Sequence, residues 1–249
     1  MDQGKRTAGK TWRPLEKMFN EVPARYDRLN RIITWRRDEQ WRRKAADNCL
    51  EENPSMVLDL CTGTGDLAIR LARQVNGETR ILALDYSLPM LSVARKKADK
   101  AKVDNIEFIH ADAAAMPLGN DSLDVIGIAF AFRNLTYKNP DREKFLQEIH
   151  RVLKPGGKFV IVESSQPEHH LMRKLFRLYL KLFVAWMGGW LSGHKAAYRY
   201  LAASARNFYD PGKIRQLLID AGFERIGYRP FMGGIAGLTV AIKQSVDYQ

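Results

Sequence analysis

The chain of 249 residues is long enough for one α/β domain, and 45% of its residues are apolar, which permits a sizeable core. The N-terminal stretch is basic without an apolar segment, and no long run of uncharged apolar residues occurs, so we expect neither secretion nor a membrane span. Cys49 and Cys61 form neither a disulfide framework nor a metal-ligand pattern, which favours a reducing cytoplasm and no metal site.

The net charge of +12 is concentrated in two segments. Residues 1–44 contain 13 Lys and Arg against 6 Asp and Glu, and residues 168–215 contain 9 against 2. The rest of the chain is close to neutral. These two segments, and not the whole surface, are therefore the candidates for contact with an anionic partner.

From residue 56 onward, short apolar runs alternate with helical patterns. We predict strands at 56–61, 80–85, 106–110, 123–132 and 158–164, and helices at 66–74, 88–101 and 140–153. After an interruption at 168–208 come a helix near 211–221 and two strands, 223–231 and 237–244, joined by Gly233 and Gly234. This order indicates βαβ units in a parallel sheet, with a terminal antiparallel hairpin at its edge.

The stretch VLDLCTGTGDLAIRLA places Asp59 near a strand end, ahead of the loop Gly63–Thr64–Gly65 and a helix that starts near Asp66. Glycines at this point let the backbone approach a ligand, and the helix N-terminus offers unpaired N–H groups. Asp85 ends the second strand, where a carboxylate can bind a ribose diol. The same glycines, with Ala68, also satisfy a dinucleotide-binding pattern, so the loop alone leaves the cofactor open.

Three features together resemble the class I methyltransferases: Asp59 ahead of the glycines, an acid after both the second and the third strand, and LKPGG before the fifth. The resemblance implies a Rossmann-like α/β fold with a seven-stranded sheet, an antiparallel last strand, and S-adenosyl-L-methionine as cofactor. It also implies that Asp59 lies near the methionine amine, that Asp85 holds the ribose, and that Asp112 with Ala113 approaches the adenine. The alternative is that these acids cap helices or are solvated.

Two longer stretches, YDRLNRIITWRRDEQW and RVLKPGGKFVIVESS, resemble the signature segments of the ubiquinone/menaquinone biosynthesis C-methyltransferases of the UbiE type. FRN at 132–134, YRYLAASARNF at 198–208 and the closing GGIAGLTVAIK extend the resemblance over most of the chain. It implies a basic helical N-terminal lid at 1–50, and a methyltransferase domain at 51–249 with a basic, aromatic helical insertion at 168–208. The sequence departs from the family pattern at four positions, Thr34, Asp38, Ala129 and Ala131; Ala129 and Ala131 replace the usual Ser and Gly beside the cofactor.

The reaction that this resemblance implies transfers a methyl group to a ring carbon of a prenylated quinol, either demethylmenaquinol or a benzoquinol of ubiquinone synthesis. Since a neutral aromatic carbon is a poor nucleophile, the site must favour a phenolate and exclude water. Arg133, at the end of the fourth strand, is the candidate for stabilising the phenolate, with Asn134 orienting a water or the second quinol oxygen. The alternative for Arg133 is a structural ion pair with a carboxylate.

Further candidates carry weaker signals. Tyr26 and Asp27 belong to the expected lid; Asp27 is an alternative base, although an Asp between Arg25 and Arg28 is more often a salt-bridged anchor. Four histidines lie near the expected site or insertion, and the pair beyond the fifth strand is expected to be solvated: His110, His169, His170 and His194.

Residues 171–191 place Arg and Lys on one helical face and apolar and aromatic residues on the other. Such a helix either packs on the core or lies on a membrane surface. A peripheral position on the inner face of the membrane suits a lipid substrate, and we also consider a homodimer. The alternatives are an RNA- or small-molecule-modifying methyltransferase, or a nucleic-acid-binding protein on the same fold, but no nucleic-acid module is recognisable.

Overall fold

The computed structural model describes residue 31 and the ranges 34–75, 77–184 and 203–245. The strands are Met56–Leu60 (β1), Arg80–Asp85 (β2), Ile106–His110 (β3), Leu123–Ala129 (β4), Leu153–Ser164 (β5), Phe223–Phe231 (β6) and Ala236–Lys243 (β7). The helices are Arg37–Cys49 (α1), Asp66–Gln74 (α2), Leu88–Lys100 (α3), Phe132–Thr136 (α4), Arg142–Val152 (α5), His170–Tyr179 (α6) and Pro211–Asp220 (α7). A π-helical turn, Leu180–Val184, continues α6, and a 3-10 turn, Met232–Gly234, joins β6 to β7.

The strands form a seven-stranded sheet in the order β3-β2-β1-β4-β5-β7-β6. Strands β1 to β5 are parallel, whereas β7 runs antiparallel to both β5 and β6. The predicted fold class is therefore confirmed. The hairpin extends the sheet beyond β5, with its second strand, β7, on the inside.

Alternate residues of the central strands bury their side chains on opposite faces of the sheet. Leu58 and Leu82 belong to the cluster that packs under α4, α5 and α7, whereas Val57 and Ile81 belong to the cluster under α1 and α2. This two-residue period is typical of a strand covered on both faces. It explains why these strands appear in the sequence as short runs that are mostly apolar.

Two of the helices begin with side-chain caps. The Ser87 hydroxyl accepts the N–H of Met90 at the start of α3, and Asp210 Oδ1 accepts the N–H of Lys213 at the start of α7, 2.8 Å away. A proline in the first turn of each helix needs no hydrogen-bond acceptor there.

Strand β4 ends earlier than the sequence pattern predicts. We expected it to continue to Phe132, but it stops at Ala129, because Phe130 has a left-handed backbone (φ 58°) and its N–H donates to the carbonyl of Val162. The chain then turns into α4. Arg133 and Asn134 consequently lie on a short helix above the sheet and not at a strand end.

The expected N-terminal lid is described only at residue 31 and from residue 34 onward. Helix α1 packs against α2, β4 and β5, and buries Trp41, Ala45 and Ala46 in the sheet cluster. Tyr26 and Asp27 lie outside the described residues, as do 185–202 of the expected insertion. The division into a lid at 1–50 and a domain at 51–249 stays a prediction.

Candidate active site

A cleft opens at the carboxyl ends of β1 and β4, where the chain order of the strands reverses. The loops after β1, β2 and β4 line it, together with Arg42 of α1. Doubly wound sheets bind their ligands at this point, because the connections on either side diverge and leave a crevice.

Asp59 is almost completely buried and forms part of the cleft wall. Its Oδ2 accepts the hydroxyl of Thr62 at 2.6 Å and the N–H of Ala68 at 2.9 Å, and neither bond uses Oδ1. Burial raises the pKa of Asp59 to about 7, although both hydrogen bonds and the charge of Arg42 act to lower it. An ammonium group placed at Oδ1 would stabilise the ionised form, which fits the predicted contact with the methionine amine of the cofactor.

The glycine loop follows directly and has two different steric roles. At Gly65 (φ 82°) a Cβ would lie 2.9 Å from the Cβ of Ala94, so this glycine lets α2 and α3 approach closely. At Gly63 (φ 56°) a Cβ would meet no atom within 4 Å, which leaves room for a ligand beside the backbone. Thr64 lines the cleft, and its hydroxyl accepts Lys97 Nζ at 3.2 Å.

Asp85 connects the ends of β1 and β2. Its Oδ2 accepts the N–H of Gly63 and its Oδ1 accepts the N–H of Ser87, each at 2.8 Å. Burial raises the pKa of Asp85, and these backbone hydrogen bonds partly oppose that rise. The carboxylate is thus held by the loops on either side while it lines the cleft, in a position suited to a ribose diol.

Asp112 and Ala113 take a different position. Asp112 is exposed and its Oδ1 accepts the N–H of Ala114, so it stabilises the turn after β3; Ala113 is buried in the core. Neither forms part of the cleft wall as the described residues build it. Their contact with the adenine stays a prediction.

Asn134 faces this same cleft. Its side-chain oxygen is buried and has no hydrogen-bond partner among the described residues. Because a buried polar atom without a partner is costly, a ligand donor in the cleft is the natural partner for it. Ala129 and Ala131 also line the cleft.

A second cavity of about 510 Å³ lies beside the cleft, a size within the usual range for a small-molecule site. Most of its described wall is apolar and comes from α1, α6 and the turn before β7; it includes Trp41, Phe176, Leu180 and Ile235. The polar exceptions include Arg133 and Ser164. A wall of this composition suits a mostly apolar ligand that also carries a polar group.

Arg133 is buried in the wall of this cavity and is paired with a carboxylate. Its Nη1 donates to Glu163 Oε1 at 2.7 Å and to Ser164 Oγ at 3.3 Å, and its Nε donates to Ser204 Oγ at 3.1 Å. The backbone N–H of Arg133 also donates to Glu163. The ion pair that the sequence left open as the alternative for Arg133 is therefore present, and Glu163 balances the charge. Nη2 takes part in none of these bonds, and the role of Arg133 toward a phenolate stays a prediction.

Two residues that the sequence reasoning missed separate the two spaces. Arg42 and Phe130 line both the cleft and the cavity, and the guanidinium of Arg42 lies 5.0 Å from the centre of the Phe130 ring. Arg42 is also paired with Asp38 of its own helix and lies 4.0 Å from Asp66. Of these features, only the spacing of Asp38 and Arg42 on one helical face could have been noticed in the sequence.

The histidines that the structure describes line neither space. His110 Nε2 lies 2.9 Å from the carbonyl oxygen of Tyr86, and His169 and His170 are exposed at the start of α6, as expected. His194 lies outside the described residues. Within the described ranges, no three His, Cys, Asp or Glu side chains are grouped so that they could hold a metal ion.

Comparison with known proteins gives a consistent result. Residues 6–243 match the model of the ubiE/COQ5 methyltransferase family. The chain is 39% identical to a demethylmenaquinone methyltransferase of Thermus thermophilus, over 90% of this chain and 98% of that protein. It is 35% identical to a ubiquinone/menaquinone biosynthesis C-methyltransferase UbiE of a Shewanella species, over 89% and 87%. A solved S-adenosylmethionine-dependent methyltransferase of Aquifex aeolicus shares the fold, with a TM-score of 0.53 at 22% identity over 76% and 81% of the two chains.

Proposed function

The chain belongs to the ubiE/COQ5 methyltransferase family, and from this premise we propose that it methylates a ring carbon of a prenylated quinol in respiratory quinone synthesis. The cofactor is S-adenosyl-L-methionine, as in other methyltransferases of this class. We take demethylmenaquinol as the substrate, because the Thermus thermophilus relative, which is 39% identical, is named for demethylmenaquinone. The observation that carries the proposal is the apolar cavity that shares a wall with the cofactor cleft.

The cleft residues fit the cofactor. Asp59 offers Oδ1 to the ammonium group, Asp85 offers its carboxylate to the ribose, and the loop at Gly63 leaves room for the backbone of the ligand. When bound, S-adenosylmethionine supplies an electrophilic methyl group on a sulfonium. The orphaned oxygen of Asn134 then accepts a donor from the cofactor or from a quinol hydroxyl.

The cavity residues fit the quinol. Arg133 is a buried polar group in a mostly apolar wall, and its Nη2 takes part in none of its hydrogen bonds to described residues. We propose that Nη2 donates to a quinol oxygen and so stabilises the phenolate that forms when the phenolic proton passes to a water molecule. With the cofactor bound, the ring carbon would form its bond to the methyl group as the sulfur–methyl bond breaks, which leaves neutral S-adenosylhomocysteine. The ring carbon would then lose its own proton to water, which restores the aromatic ring as a phenolate, and the phenolate oxygen would take up a proton again.

The ion pair with Glu163 determines how Arg133 can stabilise the phenolate. Since the ion pair balances the charge, the guanidinium acts as a rigid hydrogen-bond donor, and its preorganised direction provides the stabilisation. Arg42 and Phe130 exclude water between the two spaces and set the path along which carbon and methyl meet. Tyr26 and Asp27 remain candidates on the expected lid.

We also propose where the protein works. No helix in the described ranges combines the length and the apolar character needed to cross a bilayer. The substrate is a membrane lipid, so the two basic segments suit a peripheral position on the inner face of the membrane, in the cytoplasm. A homodimer is compatible with this arrangement. No described feature favours the alternatives of RNA methylation, small-molecule methylation or a non-catalytic nucleic-acid platform.

The experiment is methyl transfer from labelled S-adenosylmethionine to reduced demethylated naphthoquinol and to the corresponding benzoquinol, with mass analysis of the products. The proposal expects one methyl group on the naphthoquinol ring carbon. Label transferred to RNA or to a quinol oxygen, with none on carbon, would refute it. The matched variant is Arg133→Gln, which should lose turnover while its affinity for S-adenosylmethionine stays within about 3-fold, since Arg133 lines only the cavity.

A further inference from the structure

Helix α6 carries a leucine ridge: Leu171, Leu175 and Leu178, which recur at spacings of four and three, and Leu182 in the turn that follows. The spacing puts the first three on one face of the helix. Each of the four is more than half exposed, from 51% at Leu178 to 59% at Leu171. A soluble surface rarely leaves four leucines of one stripe uncovered.

Other exposed apolar side chains surround the same region. Of the ten large apolar side chains that are exposed in the described ranges, seven belong to α6, to the turn after it or to the wall of the larger cavity. The cavity-wall members besides those of α6 are Trp35, 76% exposed, and Met232, 52% exposed. The apolar surface is therefore one patch that borders the cavity, and not a set of scattered residues.

Basic side chains flank the ridge on one side. Lys174 and Lys181 are exposed beside the leucines, whereas Arg173 and Arg177 turn back to the carbonyl of Pro167 and the side chain of Gln166. Glu168 is the only acidic residue from 168 to 184. An anionic surface thus has two cations to meet beside an apolar stripe, which is the chemistry of an interfacial helix.

The other side of α6 closes the cavity. Phe176, Tyr179 and Leu180 face it, and Leu175 lies in both the ridge and the cavity wall. One helix thus separates the ridge from the site proposed for the quinol ring.

We propose that the leucine ridge inserts into an anionic lipid bilayer, with Lys174 and Lys181 at the headgroups, so that the cavity takes its prenylated substrate directly from the membrane. The inference rests on the proposed function for the identity of the substrate, but the docking of the ridge does not. Burial of the ridge in lipid removes four leucines from water. The prenyl tail then never crosses an aqueous gap.

The test is flotation of the full-length protein with vesicles of phosphatidylglycerol and phosphatidylcholine, without cofactor or quinol. The variant is L171Q/L178Q/L182Q, which leaves Leu175 and the cavity wall unchanged. The proposal expects its partition onto these vesicles to fall by roughly 100-fold. Ile219→Gln is the matched control, because Ile219 is exposed on α7 and lines neither space; it should bind like the parent protein.

The charge variant K174E/K181E keeps the leucines and gives an independent measurement. It should weaken binding to anionic vesicles by roughly 10-fold or more, and added salt should weaken the parent in the same way. Unchanged binding by both variants overturns the proposal. A second result also overturns it: the triple variant still binds vesicles but no longer oligomerises, or its Tm falls by several degrees. The ridge would then pack against a second copy or against another segment of this chain.

Methylation assays distinguish a failure of membrane docking from a failure of the proposed function. The triple variant should methylate a water-soluble quinol without a prenyl tail at the parental rate, and lose turnover only with vesicle-embedded substrate. If the parent protein binds vesicles through the ridge but methylates neither quinol, the proposed function fails and the docking surface stands. If it methylates both while the triple variant still floats, the docking surface fails and the function stands.

Discussion

Replacing Asp59 by asparagine removes one charge from the cofactor cleft without disturbing its hydrogen bonds. Thr62 and Ala68 both donate to the same oxygen, Oδ2, and the amide oxygen of asparagine can accept both. The amide nitrogen then takes the position of Oδ1. The variant therefore isolates the charge of the carboxylate from its packing.

The effect on stability follows from the pKa of Asp59. Burial raises it from 3.8 to about 7, so ionising Asp59 costs about 4 kcal/mol more in the folded protein than in the unfolded chain. Because the folded state retains the proton longer, the stability of the cofactor-free protein falls as pH rises from about 4 to about 7. We expect Asp59→Asn to be more stable than the parent at pH 8 by up to about 4 kcal/mol, a gain that shrinks toward pH 4.

Cofactor affinity should change in the opposite direction. A hydrogen bond to a charged group contributes about 1.5–3 kcal/mol, so Asp59→Asn should bind S-adenosylmethionine roughly 10- to 100-fold more weakly at pH 8. In the parent, affinity should fall about tenfold per unit below pH 7, as the carboxyl takes up its proton.

The assays are urea unfolding of the cofactor-free proteins and calorimetric titration, each from pH 5 to pH 8.5. Asp124→Asn is the control of opposite sign: burial alone would raise the pKa of Asp124, but Lys154 and the N–H of Met56 lower it, so this variant should lose stability at pH 8. An Asp59→Asn protein with no stability gain at pH 8 and unchanged cofactor affinity would refute the assignment of Asp59 to the ammonium group.

Three further predictions concern the Arg133–Glu163 ion pair, the Phe130 side chain between the cleft and the cavity, and the glycine loop. Arg133→Gln and Glu163→Gln should each lower the free energy of unfolding in urea by about 3–5 kcal/mol, because each leaves a buried charge unpaired. The double variant R133Q/E163Q should recover most of this stability but no turnover. Recovered turnover would show that the pair is only structural. Phe130→Ala should lower the single-turnover methylation rate at saturating cofactor at least ~10-fold, since Phe130 no longer excludes water between the cleft and the cavity; an unchanged rate would argue against this role of Phe130. Gly65→Ala should lose about 2 kcal/mol or more by chemical unfolding, from its positive φ and its close contact with α3, whereas Gly63→Ala should lose about 1 kcal/mol; equal losses would contradict the steric difference between them.

Several parts of the site could be predicted because their signals are local. The order of Asp59, the glycine loop and α2 is contained in one short stretch, and a turn that needs positive φ at Gly63 and Gly65 shows itself in the glycines. Asp85 was found by its position at the end of a strand. Its two hydrogen bonds to backbone N–H groups give the reason why it sits there.

The end of β4 shows where such signals fail. The run from Val125 to Phe132 contains no polar side chain, so its pattern offers no boundary. The strand stops at Ala129 because the backbone of Phe130 turns and bonds to Val162 of the neighbouring strand. Nothing in the local sequence requires a phenylalanine to adopt this conformation.

The sequence by itself determined the α/β fold, the glycine loop and the places of Asp59 and Asp85 at the cleft, because periodicity and turn chemistry act between near neighbours. It also predicted Asp112, which does not line the cleft. Only the tertiary structure decided what Arg133 and Asn134 face, since adjacent residues on α4 point into different spaces. It also paired Arg133 with Glu163, which is thirty residues away in the sequence. Contacts of that range depend on how the strands pair and how the helices cover them, and no local pattern encodes them.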